Sequence, residues 1–128
     1  MKTFYDSFCK YFKEEEFHCP CGQCDYIDID LQLKSLLLNV REHFEKPVII
    51  TSGYRCKEHN KAIGGARFSK HIDAIACDIV VKDTSHKEVY DYLFKLLDCS
   101  FGGLGLYRTH VHIDVREHFA TWNNTHVF

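Results

Sequence analysis

The sequence predicts an α+β domain in which a small antiparallel sheet is flanked by helices. Apolar residues recur at three- and four-residue steps over residues 30–44 and again after Ser85, as they do on the buried face of a helix. Around these helices, short β-branched segments alternate apolar and polar residues, as strands do. Together the patterns predict two longer helices and three or four short strands.

The first long helix is predicted over residues 30–44, where one face carries only apolar side chains, namely Leu33, Leu36, Leu37, Val40 and Phe44. Pro47 prevents its continuation, because proline cannot donate the backbone hydrogen bond that a helix needs. The β-branched residues 48–51 then predict a short buried strand, which ends in a turn at Ser52-Gly53.

A second strand, predicted over residues 75–81, carries a carboxylate. A short helix over residues 57–63, stopped by Gly64-Gly65, precedes it. Alternation along the strand places Asp78 on one face with Ala76 and Val80, and the opposite face is apolar. The carboxylate of Asp78 therefore projects from an otherwise apolar strand.

The second long helix begins after Ser85, which forms a capping-box pattern with Glu88 and is followed by apolar residues at helical spacing, Val89, Leu93, Leu96 and Leu97. From Leu104 to Arg116 the chain alternates as a strand does. An aromatic stretch near the start has helical spacing, and we interpret it as a helix docked on the core; a groove for glycan or a partner protein is the alternative.

Length and composition limit the classes of function. The 128 residues fit one domain, and 45% hydrophobic with 27% charged residues is typical of a globular chain. A net charge of -2 argues against nucleic acid as a partner, and no apolar run approaches the roughly 20 residues that span a membrane. The start of the chain lacks the apolar region of a secretory signal, so we expect synthesis in the cytoplasm, as a monomer.

The segment 109–116 places polar and apolar side chains on opposite faces. Period two puts His110, His112, Asp114 and Arg116 on one face, while the other face is apolar. Two histidines at this spacing can bind one metal, or one can bind it while the other acts on substrate. On this segment alone, an amphipathic strand with a solvated polar face is an equally good interpretation.

The segment 69–78 favours the metal. It places His71 in a loop before the strand and Asp78 on it. Catalytic zinc sites use three ligands, mostly His with Asp or Glu, and leave one position for water. His71, Asp78 and His112 would supply such a set, and their nitrogen and oxygen donors suit an open Lewis-acid site.

These segments resemble peptidase family M15, the zinc D-Ala-D-Ala carboxypeptidases and endolysin-like peptidases of bacteria and phages. The resemblance covers most of the chain, and its elements are Glu16-Phe17-His18-Cys19, Ser52-Gly53-Tyr54-Arg55-Cys56, His59-Asn60, Gly64-Gly65-Ala66, Ser69-x-His71, Ala76-x-Asp78, Gly103-Leu104-Gly105-Leu106-Tyr107, His110-x-His112-Ile113-Asp114-Val115-Arg116 and Trp122. It implies the hedgehog/D-Ala-D-Ala peptidase-like fold, and it implies that Zn²⁺ is bound by His71, Asp78 and His112.

The resemblance also implies catalytic roles for His110 and Arg55. His110 stands where the family has a catalytic side chain near the metal-activated water, and Arg55 where an arginine contacts the substrate carboxylate or carbonyl. Other members carry a carboxylate three residues before the last ligand, where this chain has Thr109. The family usually has glycine at the position of Ala74, so a turn of positive φ there would be strained.

The implied protein is a single zinc peptidase-like domain, residues 1–128, that hydrolyses peptides of the bacterial cell wall. Its expected partner is a peptidoglycan stem or cross-link peptide. Without a secretory signal, it would reach that substrate in a virion or through a lysis partner. The alternative is a zinc-binding interaction module of the same fold that has lost hydrolysis.

Seven cysteines form an odd number, which with the missing signal favours a reducing compartment. Cys19, Cys21 and Cys24 are clustered, and we interpret them as reduced thiols in an N-terminal turn. With Cys9 or His18 they could instead complete a tetrahedral zinc site. We expect the others, Cys56, Cys77 and Cys99, to be small buried apolar residues.

Overall fold

The computed structural model describes residues 3–125 and contains four α-helices and five strands. The helices are α1 (Phe4–Tyr11), α2 (Leu31–Phe44), α3 (Lys57–Ala62) and α4 (His86–Leu97), and a 3₁₀ helix spans Glu14–Phe17. The strands are β1 (Val48–Ser52), β2 (Ala76–Val81), β3 (Gly103–Leu106), β4 (Val111–Asp114) and β5 (Ala120–Asn123). The predicted α+β class is confirmed.

The strands form one mixed sheet in the order β1-β2-β4-β3-β5. Three neighbouring pairs are antiparallel, as expected, but β5 runs parallel to β3. The alternation predicted over 104–116 is interrupted by a turn. The segment is a hairpin of β3 and β4, in which the amide of Tyr107 donates to the carbonyl of His110 at 3.0 Å.

The helices begin where the sequence predicts. Asp30 caps α2, because its carboxylate accepts hydrogen bonds from the amides of Gln32 and Leu33, and Ser85 caps α4 by accepting from the amide of Glu88. α1 is the predicted N-terminal helix. Its aromatic face docks on the core, where Phe8 is buried.

One face of the sheet is packed and the other is chemically active. The packed face contributes to the main core, with Cys77, Ile79, Val81, Leu104, Leu106, Val111 and Ile113 buried beside side chains of α1, α2 and α4. The alternate positions, Asp78 on β2 and His112 and Asp114 on β4, therefore point to the opposite face. Across residues 3–125, every helix is too short or too polar to cross a bilayer.

Candidate metal centre

Three segments bring His71, Asp78 and His112 together. Asp78 and His112 are direct partners in the β2–β4 register, and His71 lies in the turn that leads into β2. One ligand atom from each lies within 4.8 Å of the others. His71 Nε2 is 3.2 Å and His112 Nδ1 is 3.0 Å from the same atom, Asp78 Oδ1.

One nitrogen of each histidine ring, His71 and His112, faces an oxygen atom that can only accept a hydrogen bond. His71 Nδ1 lies 2.8 Å from the carbonyl oxygen of Gly53, and His112 Nε2 lies 2.7 Å from Oδ2 of Asp114. Each of these nitrogens therefore carries the hydrogen and donates. In the neutral rings, the remaining nitrogens, which face Asp78, hold lone pairs.

Three acceptors thus converge on one point, which is favourable only when a cation or added protons lie between them. Burial alone would raise the pKa of Asp78, but the hydrogen bonds that His112 and His71 donate when their rings are protonated outweigh burial and hold this pKa well below its usual range. The carboxylate is therefore ionised. Two imidazoles and one carboxylate are the donor set of an open zinc site, so these residues fit Zn²⁺.

Asp114, for which the sequence predicted no role, lies directly against His112. It is fully buried, and Arg116 binds both of its oxygens while its Oδ2 accepts from His112. Such an outer partner fixes the tautomer and orientation of a metal-binding histidine. The period-two spacing of 112, 114 and 116 was the signal that could have identified it.

His110 stands at the edge of the same site. Its Nε2 is 3.7 Å from Oδ2 of Asp78, and its Nδ1 is 2.8 Å from the hydroxyl oxygen of Thr109. Its ring stacks on Tyr107, with centroids 4.4 Å apart. Burial lowers the pKa of His110, although the charge of Asp78 opposes this, so the imidazole is neutral near pH 7.

Arg55 faces the site from the segment after β1. Its Nη1 donates to Oδ1 of buried Asn60 at 3.0 Å, while its buried Nε has no hydrogen-bond partner within the described chain. All five predicted site residues line one cavity of about 500 Å³, namely Arg55, His71, Asp78, His110 and His112. The structure therefore brings the five together.

The family comparison agrees with this geometry. The family model described as Peptidase M15 matches residues 10–114, which is most of the chain. The chain belongs to peptidase family M15. No match was found among curated proteins. M15 peptidases are generally zinc-dependent, and this one has a donor set that fits the metal.

The turn between two candidate ligands of this M15 peptidase is strained, as the sequence predicts. Ala74 has φ +58° and is almost completely buried. Its backbone nevertheless makes ordered hydrogen bonds, because the amide donates to the carbonyl of His71 and the carbonyl accepts from the amide of Asp30. The alanine therefore occupies a left-handed turn that glycine would adopt at lower cost.

The cysteines of this M15 peptidase differ from the expectation. Cys56, expected to be an inert apolar residue, joins Cys19, Cys21 and Cys24, and the four sulfur atoms lie within 4.8 Å of one another. Cys9 and Cys99 are exposed, so Cys9 does not complete the cluster and Cys99 is not buried. Cys77 is buried as expected. His18 also lies outside the cluster, since its ring contacts Glu14.

Proposed function

We propose that the protein is a zinc peptidase that hydrolyses peptide bonds of bacterial peptidoglycan through a metal-activated water. The observation that carries the proposal is the convergence of three lone-pair donors, from His71, Asp78 and His112, on one point inside a cavity that also contains His110 and Arg55. When bound, Zn²⁺ would polarise a peptide carbonyl and lower the pKa of water.

His110 would act as the general base and general acid of the reaction. A hydrogen bond from its Nδ1–H to the hydroxyl oxygen of Thr109 would leave the Nε2 lone pair facing the cavity. A neutral imidazole in this state can accept a proton from water and return it to the leaving amine. Thr109, which stands where other members have a carboxylate, would thus act by orienting His110.

Arg55 would hold the developing negative charge. Its Nη1 is anchored by Asn60, which holds the guanidinium at the wall of the cavity, and its Nε has no hydrogen-bond partner within the described chain. A guanidinium keeps its charge throughout the reaction and can bind a carboxylate or an oxyanion.

A cationic groove beside the cavity supports an acidic peptide as substrate. It shares Gly65, Phe68, Ser69 and Lys70 with the metal cavity, and its basic side chains are Lys57, Lys61, Arg67 and Lys70. Wall stem peptides carry several carboxylates, which such a groove would attract. Access to the wall in a virion or through a lysis partner is part of this proposal.

An inactive zinc-binding module is the second candidate, and the replacement of the family's carboxylate by Thr109 favours it. The two candidates differ in what His110→Ala would do. In a peptidase, this change should lower kcat by about 10²–10⁴-fold while the zinc stays bound. In a binding module, affinity for wall peptides should persist and no turnover should be found in the native chain.

The experiment measures release of new amino groups from purified peptidoglycan, together with zinc content, in the untagged protein. We expect turnover in the native chain and in the control His118→Ala, whose histidine is exposed on the segment after β4. His112→Ala should lose both turnover and one equivalent of zinc. Native protein that binds zinc without releasing amines from the wall would overturn the peptidase and favour the module.

A further inference from the structure

Four cysteines from distant parts of the chain meet in a second cluster, apart from the His/Asp/His site. Cys19, Cys21 and Cys24 lie in the turns after the 3₁₀ helix, and Cys56 caps the start of α3. Cys19 and Cys56 are buried and the other two are half-buried. A C-x-C-x-x-C run joined by a remote fourth cysteine is a spacing suited to a Cys₄ site.

The sulfur spacing has the size of a metal tetrahedron. Cys56 Sγ is 3.7 Å from Cys19 Sγ and 3.8 Å from Cys21 Sγ. Zinc–sulfur bonds of about 2.3 Å place two ligands of a regular tetrahedron about 3.8 Å apart. All four sulfurs lie within 4.8 Å of one another, so each can reach a common centre.

Backbone amides already point at three of these sulfurs. Cys56 N donates to Cys19 Sγ, Gln23 N to Cys21 Sγ and His59 N to Cys56 Sγ, each at 3.4 Å. Such bonds stabilise the negative charge of thiolate ligands. Gly22, with φ +67°, makes the turn that carries the Gln23 amide to Cys21.

We propose that Cys19, Cys21, Cys24 and Cys56 bind a structural Zn²⁺ that fastens the N-terminal segment to the segment carrying Arg55. Four thiolates fill a tetrahedral shell and leave no position for water, so the role is structural. Two contacts of the fastened segment reach His71 at the other site, and a third joins this segment to the 3₁₀ helix. Gly53 accepts from His71 Nδ1, Tyr54 N donates to Phe17 O, and Arg55 N donates to His71 O.

The experiment compares the zinc content of variants that all carry His112→Ala. This change removes the zinc of the His/Asp/His site, so that only zinc at the cysteine site is measured. We expect about one zinc per chain in His112→Ala and in His112→Ala/Cys99→Ser, whose replaced cysteine is exposed. We expect none in His112→Ala/Cys24→Ser. Equal zinc in all three variants, or no zinc in His112→Ala purified under reducing conditions, would overturn the proposal.

A measurement on the native chain covers the case in which the cysteine variant does not fold. Replacing Zn²⁺ by Co²⁺ should produce sulfur-to-cobalt charge-transfer absorption, which the His/Asp/His site cannot give because it has no thiolate. Without metal, alkylation should label the four cluster cysteines, and zinc should protect them while Cys9 and Cys99 still react. The proposal would be overturned, even if the peptidase is active, by the absence of the charge-transfer band. Disulfide bonds among the four cysteines in protein purified under reducing conditions would overturn it as well.

Discussion

Asp114 is a buried carboxylate that orients His112, one of the three candidate metal ligands. It accepts from His112 Nε2 at 2.7 Å and is held in turn by Arg116. Asp114→Asn should lower the zinc affinity of the His/Asp/His site by about 10–100-fold, because a neutral amide orients and polarises the His112 imidazole less strongly. Competition with a chromophoric chelator measures the affinity, and Asp73→Asn, at an exposed acid in the same loop as His71, is the control. Equal affinity in both variants would contradict the role given to Asp114.

Ala74 allows the cost of a left-handed alanine to be measured against a matched site. Ala74 and Ala76 are both almost completely buried, but only Ala74 has positive φ. Either change to glycine removes one buried methyl group, so the comparison isolates the backbone. Ala76→Gly should destabilise the fold, and Ala74→Gly should leave the chain about 1–2 kcal/mol more stable than Ala76→Gly. Urea unfolding gives both values, and equal losses would show that the turn is unstrained.

At the scale of elements, the β3–β4–β5 edge depends on a glycine beside the only tryptophan. A Cβ at Gly105 would overlap the indole of Trp122, whose Nε1 donates to the Tyr107 hydroxyl at 2.8 Å. Gly105→Ala should therefore displace the ring and cost about 1–3 kcal/mol. Because the chain has one tryptophan, its fluorescence spectrum reports the displacement directly.

The double variant Gly105→Ala/Trp122→Ala provides the control. With the indole removed, the added methyl should cost much less than it does in the native background. An equal cost in both backgrounds, with unchanged fluorescence of Gly105→Ala, would show that the ring is not what excludes the methyl group.

The helix caps offer a second prediction for elements. Asp30 accepts from Gln32 N at 2.7 Å and from Leu33 N at 3.3 Å. Asp30→Ala should destabilise the protein by about 1 kcal/mol, because two amides at the start of α2 lose their acceptor. Asp25→Ala, which makes the same charge change at an exposed position, should have little effect in the same urea titration. Similar losses in both variants would assign the effect to charge.

Local patterns predicted most elements but missed those that depend on turns or distant pairing. The caps at Asp30 and Ser85 and the periodicity of α2 and α4 are short-range signals, and both helices begin where predicted. The β3–β4 hairpin was missed because its turn, residues 107–110, contains no glycine, proline or asparagine and continues the alternation. The parallel pairing of β5 has no local signal at all.

At the scale of the whole molecule, the cysteine cluster also depends on a contact between distant residues, which local patterns cannot predict. Cys19, Cys21 and Cys24 are clustered in sequence, but the fourth sulfur comes from Cys56, 37 positions after Cys19. Only the folded chain brings it there. The His/Asp/His set was predictable because a family motif encodes its order, whereas Asn60 and Asp114 act through contacts that require coordinates.

If both proposed sites bind zinc, the thermal stability of this small chain should depend strongly on the metal. A ligand that binds only the folded state at about 1,000 times its Kd adds roughly 4 kcal/mol, which for a domain of this size raises Tm by about 15 °C. Calorimetry of chelator-treated protein, titrated with Zn²⁺, measures the rise. His112→Ala and Cys24→Ser should each retain part of it, because each variant keeps one site. If zinc left the Tm of the native chain unchanged, neither site would bind the metal at the concentrations tested. If His112→Ala abolished the rise in Tm completely, the Cys₄ site would contribute nothing to stability. That result would contradict its proposed structural role, because the loss of zinc from a site that holds these segments together should unfold the N-terminal part of the protein.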